Sequence, residues 1–175
     1  MIYFCTENYI KTNGIITSNV DVTQFSPLVN FASKAYLKPL LGTVFFNDLL
    51  AKYNDKTLSP DEEILVGYMQ PCILWRVCAQ AGTTLSLQLT NKGYIKQSDD
   101  NGSPADLSEI SYMYSHYISE AILFEDELKK YLTDNKNLYP VFMSDANKDS
   151  KVKISCNDLK KRGQDFNEGI GFMFI

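Results

Sequence analysis

Ser59-Pro60-Asp61-Glu62-Glu63-Ile64-Leu65-Val66-Gly67-Tyr68-Met69-Gln70-Pro71-Cys72-Ile73-Leu74-Trp75-Arg76-Val77-Cys78-Ala79-Gln80-Ala81-Gly82 decides the fold. Ser59 is an N-cap, Pro60 occupies the first helical turn and Glu62 completes a capping box. Behind that signal Ile64, Leu65, Tyr68, Met69, Cys72, Ile73, Arg76 and Ala79 recur at helical spacing along one broad stripe. If the helix reaches Gly82 it spans about 23 residues, roughly 35 Å. Pro71 removes one intrahelical hydrogen bond and predicts a kink, with a break into two helices as the competing reading.

Working outward, Asp106 and Glu109 repeat the capping-box pattern before a second long stripe: Leu107, Ile110, Tyr114, Tyr117, Ile118, Ala121, Ile122, Leu128, Tyr131 and Leu132. The opposite side carries Glu120, Glu125, Asp126, Glu127, Lys129 and Lys130, a solvated face. Toward the N-terminus, Thr6 caps a short helix from Glu7 to Thr12, which Gly14 stops. A second helix opens at Ser26-Pro27 and ends at Pro39; a third starts at Gly42-Thr43 and carries Phe45, Phe46, Leu49, Leu50 and Tyr53.

Between the long helices the period changes. Leu85, Leu87 and Leu89 alternate with Ser86 and Gln88, Asn91-Lys92-Gly93 turns, and Tyr94-Ile95-Lys96-Gln97 follows. This predicts a protruding β-hairpin over about residues 85–97, with continued helix to Leu89 as the alternative. After Tyr139-Pro140, residues 144–175 hold six Lys/Arg against five Asp/Glu, +1, leaving −5 on the first 143. Val152-Lys153-Ile154 and Ile170-Gly171-Phe172-Met173-Phe174-Ile175 have strand character. The expected fold is mainly α: a helical bundle in residues 1–143 with two long helices and a hairpin, then an extended C-terminal tail, 144–175, for partner docking.

Composition bounds the chemistry. The 175 residues suit one domain with an appendage, and 45% hydrophobic against 22% charged residues is ordinary for a soluble protein. Seventeen basic and 21 acidic side chains give −4, which argues against general affinity for nucleic acid or anionic membrane. No run approaches a membrane span, and Met1 to Glu7 is not a secretory signal, so the chain is expected to be soluble and intracellular when made.

A single histidine, His116, leaves little room for imidazole catalysis; Tyr112, Tyr117 and Glu120 lie within a turn of it, predicting a partly buried structural role. Cys5, Cys72, Cys78 and Cys156 form no C-x-x-C pair; Cys72 and Cys78 read as buried reduced thiols. Asp145-Ala146-Asn147-Lys148-Asp149 opens like a calcium loop, but Ser150 stands at the glycine position and Cys156 at the bidentate glutamate, so a polar linker is the better reading. Gly-x-Ser-x-Gly, P-loop and dinucleotide fingerprints are absent. No catalytic residue, metal or cofactor is expected, and the chain is not read as an enzyme. Lys160-Lys161-Arg162 is a short basic run, by default solvated.

Eleven Tyr and ten Phe serve mostly as core. Tyr3, Phe4, Tyr9, Tyr94, Phe172 and Phe174 lie outside the long helices and are candidates for intersubunit contact.

Ala35-Tyr36-Leu37-Lys38-Pro39-Leu40-Leu41-Gly42, with Leu49 and Tyr53 beyond it, resembles the opening of phage head-to-tail connector proteins of the adaptor type. The resemblance continues through the helix with Trp75 and Ala79, Asn91-Lys92-Gly93 and the close on Tyr131-Leu132-Thr133-Asp134-Asn135. Tyr139-Pro140 looks like the version found in phages of Bacteroidetes hosts, including crAss-like phages, and the likeness covers about residues 1–143. It implies a structural virion protein, made in the host cytoplasm and located at the neck. The expected assembly is a homo-oligomeric ring, commonly a dodecamer, beneath the portal protein. It would extend the DNA channel without sequence-specific binding and receive the next neck or tail protein. The resemblance places a neighbour-contacting role on the hairpin, with Leu87, Leu89, Tyr94 and Ile95. It places a portal-gripping role on Ile170, Phe172, Phe174 and Ile175. The alternative is a small helical regulatory or nucleic-acid-associated module.

Overall fold

Local caps set most helix starts. The Thr6 hydroxyl accepts the Tyr9 N–H at 3.2 Å and opens α1 (Glu7–Asn13). The computed structural model describes residues 4–17, 19–90, 93–96 and 106–152, with only the backbone described at 86–90 and 93–96. Helix α2 (Val22–Ala32) starts earlier than Ser26: the Asp21 carboxylate accepts the Thr23 N–H at 2.8 Å and takes the cap. Pro27 consequently sits inside the helix.

Pro39 does not end the helical path either. The backbone widens into a π-helical turn (Ser33–Leu37), in which the Lys38 N–H bonds to the Ser33 carbonyl, five residues back. That wider turn makes room for the proline ring, and α3 (Lys38–Leu41) carries Pro39 in its first turn. The stop comes at Gly42, φ 86° and ψ 154°, from which α4 (Thr43–Asp55) departs.

Helix α5 (Pro60–Ser86) is unbroken through Pro71, so the two-helix alternative is excluded. Pro71 leaves the carbonyl four residues back without its donor; that residue is Gly67, which is exposed, so water can serve it. The Ser59–Glu62 capping box forms as expected, with the Ser59 N–H on Glu62 at 2.8 Å and the Glu62 N–H on the Ser59 hydroxyl at 3.3 Å. Leu85 belongs to α5 rather than to a strand. Beyond it β1 (Leu87–Thr90) and β2 (Gly93–Lys96) pair antiparallel.

Helix α6 (Leu107–Asp134) begins on a complete Asp106–Glu109 capping box. A 3₁₀ turn (Lys136–Leu138), α7 (Pro140–Met143) and a second 3₁₀ turn (Asp145–Asn147) close the described chain. The fold is mainly α. Helix α5 is central: α6 lies along one side, while α2 and the π turn lie along another. Its middle stretch, with Cys72, Ile73, Leu74, Val77, Cys78 and Ala79, is buried nearly all round.

The N-terminal residues enter this core. Phe4, expected at an intersubunit surface, is fully buried, its ring 5.5 Å from Phe46 and 5.4 Å from Tyr53. Gln70 Nε2 donates to its carbonyl at 2.8 Å, which fixes the entering backbone. Tyr9 is half-buried and packs on the same core. Tyr3 lies outside the described residues.

Candidate assembly surface

Two polar connections determine which surfaces remain for partners. The first is a clasp. Residues 144–152, grouped by sequence with the tail, are packed against α3 and α4: Asn147, Ser150 and Val152 are buried. Asn147 Nδ2 donates to the Leu41 carbonyl at 2.8 Å and the Phe142 carbonyl at 3.2 Å, and Oδ1 accepts the Phe45 N–H at 3.1 Å. The Ser150 hydroxyl donates to the Leu40 carbonyl at 2.6 Å. Asp149 accepts the Thr43 N–H at 3.0 and 2.9 Å through its two oxygens. Gly42 has no side chain to cap α4, so the helix is capped from 106 residues away. The polar-linker reading of 145–149 is therefore wrong for Asn147 and Asp149.

The Thr43 hydroxyl and N–H hold the Asp149 carboxyl below the usual carboxylate range. The Thr23 N–H and hydroxyl do the same for Asp21. Groups with depressed native pKa values stabilise the fold above their unfolded pKa and lose that contribution as pH falls through the native value. The urea midpoint is thus expected to fall as pH drops below about 4, and Asp149→Asn is expected to make that fall shallower. An unchanged slope in the variant would mean that Asp149 does not cap α4.

The second connection sets α6 on α5. Arg76 Nε donates to Glu125 Oε1 at 2.8 Å with both side chains 11% exposed, and the guanidinium lies 3.9 Å from the Tyr36 ring centroid. Glu125 was expected on a solvated face; instead it is 8% exposed, because Arg76 on α5 neutralises it there. Stacked rings continue the contact, Trp75 on Tyr117 at 5.7 Å and Tyr68 on Tyr131 at 4.3 Å. The Tyr139 hydroxyl donates to the Asp61 carbonyl and meets the Tyr131 hydroxyl, both at 2.9 Å, tying α7 to both long helices. Burial and the Tyr131 bond push its pKa above the ordinary phenol range.

With α6 so fixed, its outer surface is open. Leu107, Tyr112, Met113, Tyr114, Ile122 and Leu123 are all exposed, Tyr112 to 73%. His116 is exposed beside them rather than partly buried, its ring 5.5 Å from that of Tyr117. Cys5, Cys72 and Cys78 are free and buried; burial pushes the Cys72 thiol up to about 12. Among the described residues no group of three or more His, Cys, Asp or Glu could hold a metal ion, and no helix is long and apolar enough to cross a membrane.

Of the candidate contact residues, Leu87 opposes Lys96, Ile95 opposes Gln88, and Leu89 opposes Tyr94 in the strand register. Ile170, Phe172, Phe174 and Ile175 lie outside the described residues, as do Cys156 and Lys160 to Arg162. The clasp residues and the Arg76–Glu125 pair escape a reading of the sequence, since each joins positions far apart in the chain. No curated protein and no solved structure matches the chain. The sequence pattern of a family of unknown function, DUF6712, matches residues 37–152, a span from the π turn to the last clasp residues, and the chain belongs to that family.

Proposed function

We propose that this chain is a head-to-tail connector of the adaptor type: a structural virion protein that forms a ring beneath the portal, continues the DNA channel and receives the next neck or tail protein. The observation that best supports the reading is the clasp. Residues 147–150 are rooted in the body by hydrogen bonds to both flanks of Gly42, so the chain beyond Val152 starts from a fixed point. A rooted terminal segment suits a partner-gripping arm, and Ile170, Phe172, Phe174 and Ile175 give it alternating apolar side chains for adding a strand to a portal sheet edge. In the same reading a protruding hairpin within Leu85 to Gln97 meets neighbouring copies through Leu87, Leu89, Tyr94 and Ile95. DNA passes without sequence-specific contact.

Truncation after Val152 tests the arm. The shortened chain is expected to keep its circular dichroism spectrum and urea midpoint, because the clasp is retained, and to lose binding to the portal protein encoded in the same genome. Undiminished portal binding by the folded truncated chain would refute the gripping role.

A further inference from the structure

Helix α6 carries two apolar stripes, and the fold buries one. Ile110, Tyr117, Ala121, Leu128 and Leu132 are buried, in the helix's contact with α5. A second stripe, offset by about 70° around the helix, runs Leu107, Ser111, Tyr114, Ile118, Ile122. Leu107 is 66% exposed, Tyr114 39% and Ile122 44%, with Ile118 half-buried. Spacings of four and three residues are those of a helix-packing seam.

From this seam we infer that the free protein forms a two-fold dimer, α6 against the α6 of a second copy, antiparallel and centred between Tyr114 and Ser115. Three features of the seam select another copy of itself. Its large and small residues are self-complementary: in this register Leu107 meets Ile122 of the other copy, Ser111 meets Ile118, and Tyr114 meets Ser115. Its polar groups are already satisfied, because the Ser115 and Ser119 hydroxyls donate to carbonyls four residues back at 2.9 and 3.0 Å. Covering them leaves no donor unmet.

The third feature is charge. The chain is net −4, so two copies must meet where acids are absent. Between Leu107 and Leu123 the acidic groups are Glu109, engaged in the capping box, and Glu120, and both lie on the far side of the helix from the seam. Asp126, Glu127, Lys129 and Lys130 fall beyond the partner's Leu107 in this register. The paired stretch is about 24 Å long. A single helix pair of that length sits at the low end of specific interfaces, so the dimer is reversible on dilution. A two-fold contact closes with two copies and is not the contact of a cyclic ring, so this inference does not rest on the connector reading.

Sedimentation velocity of the full chain over a concentration series tests it. The expected result is a shift from the 19.9 kDa monomer toward twice that mass. Leu107→Glu and Ile122→Lys, each at an exposed position, are expected to abolish the shift while leaving helicity unchanged. The double variant is expected to restore it, since each new carboxylate then faces a new ammonium across the two-fold axis. A wild-type chain that stays monomeric at its highest soluble concentration would overturn the inference, as would single variants that still dimerise or a double variant that does not. Loss of a ring-sized species in the single variants would overturn the two-fold arrangement in favour of a cyclic contact through α6. Normal portal binding by either single variant would leave the connector reading standing on its own.

Discussion

Glu125→Ala is expected to destabilise the fold by about 3–5 kcal/mol, the cost of leaving one partner of a buried ion pair unpaired. Arg76 and Glu125 are each 11% exposed, so solvent screens the pair little. Without the carboxylate the guanidinium keeps only its stacking on Tyr36, at 3.9 Å, which offsets a fraction of its lost hydration. For a domain of ordinary stability this removes a large share of the total. The double replacement Arg76→Met with Glu125→Leu removes both charges together and is expected to fall within about 1–2 kcal/mol of wild type, or to be more stable. Urea unfolding followed by circular dichroism separates the cases. A Glu125→Ala midpoint equal to wild type would mean that α6 does not rest on the pair.

Gly42→Ala acts on the other connection, with an expected cost of about 3–6 kcal/mol. The backbone at φ 86° and ψ 154° lies in a region open almost only to glycine, worth about 1–3 kcal/mol of strain for alanine. The added methyl would also overlap the Asn147 carboxamide, which bonds Leu41, Phe142 and Phe45. Displacing it orphans two buried carbonyls and an N–H, at about 1–3 kcal/mol for each group left unmet. Asn147→Ala alone is expected to cost about 2–4 kcal/mol, since the same groups lose their partners without the backbone strain. The two changes break one device, so the double variant is expected to cost clearly less than the two costs added, as read from a urea-denaturation cycle. Strict additivity would show that Gly42 and Asn147 act independently.

These two connections mark where a reading of the sequence stops. Both capping boxes, at Ser59–Glu62 and Asp106–Glu109, were legible because their signal is complete within four residues. The stripes of α5 and α6 were legible for the same reason: period alone places them. Asp21 was missed as the cap of α2 because Ser26-Pro27 offered a second valid start nearby. Pro39 was read as a stop because nothing local announces the π turn that accommodates it. Glu125 looked solvated since its neighbours in sequence are charged, while its partner is 49 residues away on another helix. The clasp did leave one trace. Helix α4 opens on Gly42 without a capping side chain, which demands an acceptor from elsewhere, and Asp149 supplies it. Phe4 and His116 show the reverse limit, since position outside or inside a long helix did not decide which of them is buried.

The connector reading is tested most directly by mass photometry of the full chain mixed with the portal protein encoded in the same genome. The account predicts a rise in mass equal to one copy of this chain per portal subunit, reached at saturation and lost when the chain is truncated after Val152. A portal whose mass is unchanged at saturating concentrations of the folded chain would contradict it.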